Sequence, residues 1–128
     1  MEQAVALMIG IVALPMGLSL FIRSEEWSKW FQYLRTQGDN VTLIIGYFHL
    51  IIGAFIVAFH WEWHGLSVLV TLVGVTAILE GTVYTLFPRY LQTMLAWCEP
   101  RQRTLFSVTG LMAIIVAGVA FCEYAKLI

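Results

Sequence analysis

Two residues of this chain place ionisable side chains deep inside apolar runs. They are His49, in VTLIIGYFHLIIGAFIVAFH, and Glu80, in LSVLVTLVGVTAILEGTVYTLF. An ionisable group inside hydrocarbon is costly, so it turns toward a neighbouring helix and finds a polar partner. His49 lies eight residues from Val41 and Glu80 seven from Phe87. At 1.5 Å per residue both stand about 10–12 Å from the same end of their runs. Glu80 belongs to a stripe with Thr76 and Tyr84 at i, i+4 and i+8, while His49 shares a face with Gly46 and Gly53. His49, Glu80, Thr76 and Tyr84 are therefore read as one intramembrane polar group. It serves either as a clasp between helices or as a proton relay, and the clasp is favoured.

The other cluster with chemical potential is the turn between these runs, His60-Trp61-Glu62-Trp63-His64-Gly65. His60, Glu62 and His64 form the only metal-like set, since histidines four apart share a face when the chain is helical. Here they straddle a turn with a single carboxylate between them. The expected reading is headgroup anchoring by the tryptophans with solvated histidines, and neither a metal nor a cofactor is expected. No nucleophile–base–orienter set, phosphate loop or two-cysteine metal motif is present, which argues against an enzyme. A formal net charge of −1 gives no footprint for nucleic acid.

The elements that must position these residues are membrane helices. Of the 128 residues, 60% are hydrophobic and 12% charged, with a mean hydropathy of +0.83. A soluble domain carries about 25% charged residues. Four runs approach the roughly 20 residues needed to cross a bilayer: Ala4–Ile22, Val41–Phe59, Leu66–Phe87 and Leu105–Ala125. Six of the seven Lys and Arg residues fall in segments 23–40 and 88–104. The positive-inside rule places those segments in the cytoplasm and both termini outside. The first run lacks a basic n-region and a small-residue cleavage site, so it reads as a retained helix rather than a signal peptide.

Both cytoplasmic segments carry helical patterning. In 25–35, Trp27, Trp30, Phe31 and Leu34 share a face, with Ser24 as a possible N-cap and Glu25 and Glu26 in the first turn. In 90–98 the stripe is Leu91, Met94, Leu95 and Cys98. Each is expected to lie as a short amphipathic helix in the interface. Trp27, Trp30, Trp61, Trp63 and Trp97 are the expected interfacial anchors. Pro15 predicts a kink in the first helix, with Ser19 one turn away. Cys98 lies in the second cytoplasmic segment and Cys122 near the outer end of the last run, about a membrane thickness away and too far for a disulfide.

A shift of 64 residues brings Gly10 onto Gly74, Gly17 onto Gly81 and Gly46 onto Gly110, with Gly53 falling on Ala117. Small residues let membrane helices approach closely, and a seven-residue spacing keeps them on one seam. The expectation is an all-α integral membrane protein: one domain, 1–128, of four transmembrane helices. They would form two tandem helical hairpins, about 1–64 and 65–128, as parallel repeats, each with its interfacial helix on the cytoplasmic side.

Two resemblances cover residues 45–120. His60 and Trp63, then Thr71, Gly74, Gly81 and Pro88, resemble a group of small prokaryotic four-helix membrane proteins of unknown function. Trp61 and Val75 depart from that pattern, in which asparagine and tryptophan stand at those places. Glu80-Gly81, Phe87-Pro88-Arg89, Met94-Leu95, Arg103 and Gly110 resemble the YjeT-like family of small membrane proteins. These resemblances imply a multi-pass protein of a bacterial-type inner membrane and bring no activity with them.

The function expected from these readings is that of a structural or accessory subunit. Its partners would be the lipid bilayer and either further copies of itself or a larger membrane complex. The alternative is a small proton-linked transporter or channel using the Glu80–His49 pair.

Overall fold

The computed structural model describes residues 2–126, with side chains from residue 3 to residue 126. Six α-helices follow one another: α1 (Glu2–Ile22), α2 (Ser24–Thr36), α3 (Asp39–Phe59), α4 (Val68–Leu86), α5 (Pro88–Cys98) and α6 (Gln102–Tyr124). Short 3₁₀ turns at Gly65–Ser67 and Glu99–Arg101 lead into α4 and α6. Four helical segments are long and apolar enough to cross a membrane, and they carry α1, α3, α4 and α6. Helices α2 and α5 sit together at one end of these long helices, called here the short-helix end.

The breaks have local causes. Between α1 and α2 only Arg23 leaves helical geometry, and Ser24 is already the first helical residue, without a capping hydrogen bond. The turn is instead tied by Trp27 Nε1, which donates to Ser19 Oγ at 2.9 Å. Gly38 reverses the chain before α3 at φ +77°, a left-handed conformation that suits glycine. Pro88 opens α5 in its first turn, where a missing N–H costs nothing.

The long helices pack as two close antiparallel pairs, α1 with α6 and α3 with α4. Glycine explains the pairing. A Cβ added at Gly17 would lie 2.8 Å from the Gly110 carbonyl oxygen, and one at Gly110 would lie 2.6 Å from that of Gly17. In the other pair, a Cβ at Gly53 would lie 2.7 Å from the Gly74 oxygen, and one at Gly81 would lie 2.7 Å from that of Gly46. Each seam is therefore backbone on backbone. Gly10 receives the Phe121 ring and Gly74 receives Ile56 and Val57.

This corrects the expected packing units. The hairpin formed by the first two long helices is not a close pair, since α1 and α3 touch only lightly. The glycines of α1 are matched by the seam of α6, at the far end of the sequence, and periodicity within one run cannot name the partner.

The two pairs are joined mainly toward their ends. Val70, Val119 and Ala120 pack with Ile9 and Leu69 near the 60–67 turn. At the short-helix end Tyr84, Leu91 and Leu95 pack with Phe31, Ile45, Val83 and Met94. Phe31 also meets Phe106 at 4.9 Å between centroids. Ion pairs Arg35–Glu99, Arg103–Glu25 and Arg89–Asp39 cross between segments there. They are largely solvent-exposed, and such pairs contribute at most about 1 kcal/mol each.

Candidate functional site

Helix α3 bears one imidazole in its middle and one just past its end, and each meets a carboxylate from another helix. His49 and His60 are 11 residues apart, close to three full turns, so they fall on nearly one face of α3. That face also carries Gly46, Gly53 and Ile56, all buried.

The first pair is His49–Glu80. His49 Nε2 stands 3.5 Å from Glu80 Oε2, and the two side chains remain 38% and 45% exposed. His49 Nδ1 lies 2.8 Å from the Ile45 carbonyl oxygen. The Tyr84 ring meets the imidazole edge-on at 5.8 Å and is itself buried. Of the four residues grouped from the sequence, Thr76 does not join. Its side chain is exposed, because it lies one turn further round α4, beyond the face turned to α3.

The second pair, His60–Glu123, was not foreseen. His60 is fully buried, its Nε2 is 2.6 Å from Glu123 Oε1, and Glu123 is only 12% exposed. On its other side His60 Nδ1 lies 3.0 Å from Thr71 Oγ1. Thr71 donates to the Glu62 carbonyl at 2.8 Å and accepts from the Glu62 N–H at 3.0 Å. One threonine thus closes the 60–67 turn onto the start of α4, and His60 ties that turn to the end of α6. The sequence shows Glu123 only as a carboxylate inside the last apolar run, with nothing local to join it to the turn.

His60, Glu62 and His64, the metal-like set of the sequence, do not converge on one point. His60 points inward to Glu123, whereas the His64 side chain is 91% exposed and meets only the Glu62 carboxylate, at 3.1 Å. Among the described residues no three His, Cys, Asp or Glu side chains gather as metal ligands. The expectation of solvated histidines holds for His64 and fails for His60, because the extended backbone at His60 turns its ring under the bundle. Trp61 and Trp63 pack edge to face at 5.1 Å, both exposed. At the other end, Trp27 and Trp30 pair likewise at 5.7 Å, and Trp97 carries the Arg101 guanidinium at 4.7 Å. Cys98 and Cys122 are both free.

Comparison with family models, curated proteins and solved structures finds no match to this chain.

Proposed function

We propose that this chain is a multi-pass membrane protein that acts as a structural or accessory subunit, assembling with copies of itself or within a larger membrane complex, without catalytic chemistry of its own. One observation carries the reading. Among the described residues the mid-chain imidazoles are matched within the chain, His49 with Glu80 and His60 with Glu123, while the outward faces are apolar. Ile11, Val12, Tyr47, Phe48, Leu79 and Met112 are each more than half exposed. Polar groups matched inside the chain, with broad apolar faces left outside, suit a scaffold whose outer surface meets lipid and other helices.

The same reading includes insertion in a bacterial-type inner membrane, with α2 and α5 lying in the cytoplasmic interface and both termini outside. The tryptophans at each end support insertion, and the Lys/Arg distribution supports this orientation. An internal duplication is supported by the seams. The Gly17–Gly110 contact becomes the Gly81–Gly46 contact when each residue is shifted by half the chain, and Gly10–Phe121 becomes Gly74–Val57.

The test is photo-crosslinking in intact cells, with a benzophenone side chain at Tyr47, Leu79 or Met112 in turn. The assembly reading expects at least one outward position to give a discrete protein adduct. Adducts to lipid alone at all three positions would overturn it.

A further inference from the structure

The two imidazole–carboxylate pairs share one hydrogen-bonding logic and differ in access. The Ile45 carbonyl is an acceptor only, so His49 Nδ1 carries the hydrogen of that 2.8 Å bond. Nε2 is then left facing the Glu80 carboxylate. The single hydroxyl hydrogen of Thr71 is committed to the Glu62 carbonyl, so Thr71 can only accept from His60 Nδ1. His60 Nε2 is thereby left facing Glu123. In each pair a single further proton makes the site neutral, as imidazolium with carboxylate or as imidazole with carboxylic acid.

At His60–Glu123 that proton is enclosed: the contact is 2.6 Å, and the partners are 0% and 12% exposed. At His49–Glu80 the contact is 3.5 Å, too long for a strong hydrogen bond, and both partners are more than a third exposed. Along α4, Glu80 lies four residues from Tyr84 and ten from Val70, so the open pair stands between the two apolar clusters.

We propose that His49–Glu80 is a proton-exchange site set between apolar layers, whereas His60–Glu123 is a sealed structural tie. The ligand is the proton, and the proposal stands apart from the assembly role. Few other charges act on the site. Helix α4 contributes the Tyr84 hydroxyl, and α5 has Tyr90 and Cys98 beyond it. Between Gln3 and Ile22 of α1, and between Thr104 and Phe121 of α6, the sequence contains no ionisable side chain.

Dicyclohexylcarbodiimide tests this in the full-length protein held in lipid nanodiscs. This apolar reagent takes the proton of a carboxylic acid onto its own nitrogen while the carboxyl oxygen adds to its central carbon. The adducted residue is identified by peptide mass spectrometry. The expected result is labelling of Glu80 and not of Glu123, with the Glu80 rate falling about tenfold or more as the pH is raised. In H49Q the imidazole no longer competes for the proton, so labelling of Glu80 at a fixed pH rises several-fold. An unlabelled Glu123 in that variant shows that the fold is intact. Where H49Q fails to fold, the contrast between Glu80 and Glu123 in the unaltered protein decides. A Glu80 that stays unlabelled, labels independently of pH or labels no faster than Glu123 overturns the proposal. So does an H49Q protein that folds but labels at the original rate.

Discussion

Replacing Gly81 by alanine is the sharpest perturbation of the packing described here. The new methyl carbon would lie 2.7 Å from the Gly46 carbonyl oxygen and 2.7 Å from the Leu50 nitrogen, where ordinary contact begins at 3.4 Å. The α3–α4 seam must therefore open by about 0.7 Å at this level, the difference between those two distances. Both neighbours are backbone atoms, so no rotamer change relieves the clash. Overpacking of this kind costs about 1–3 kcal/mol, and removing a helical glycine returns up to about 1 kcal/mol. The expected outcome is a net loss of about 1–2 kcal/mol. Gly118→Ala is the matched control, because nothing lies within 4 Å of a Cβ added there. It should leave stability unchanged or raise it by up to about 1 kcal/mol. Unfolding in mixed micelles of increasing denaturing detergent measures both. Equal stability of the two variants would refute the backbone-on-backbone seam.

Other perturbations separate the remaining interactions. His60→Leu leaves Glu123 and Thr71 without their shared partner and should destabilise by about 3–5 kcal/mol in the same assay. Thr76→Val, at an exposed position with no hydrogen bond described, should change stability by no more than about 0.5 kcal/mol. Trp27→Phe removes the donor to Ser19 and should cost about 1 kcal/mol, with increased proteolysis at the α1–α2 break. A cysteine placed at Gln37 should resist an impermeant thiol reagent added outside sealed cells and react once the membrane is opened.

The four long helices were legible because their lengths and apolar content leave no other class. The positions of α2 and α5 followed from Trp27, Phe31, Leu34, Leu91 and Leu95, whose spacing marks one face. The α3–α4 pair was legible from the short turn that joins them, which makes them antiparallel neighbours, but the α1–α6 pair was not. Gly10 and Gly17 announce a seam on α1, yet nothing in that run says that α6 rather than α3 supplies the opposing backbone. The mid-helix pair could be anticipated because His49 and Glu80 sit at equal depth on helices joined by a short turn. Thr76 was grouped with them by a four-residue step, and the real helix drifts that step around to the exposed face. His60–Glu123 joins residues 63 apart in sequence through a tertiary contact. Local pattern shows the turn and the acid separately and gives no sign that they meet.

The central claim, that the chain works as part of an assembly, is tested most directly by native mass spectrometry of protein released from membranes in lipid-bearing nanodiscs. The monomer mass is 14.5 kDa. The account predicts a discrete larger species, either a whole-number multiple of that mass or a complex with another membrane protein, that survives at low detergent. A uniform monomer under the same conditions would contradict it.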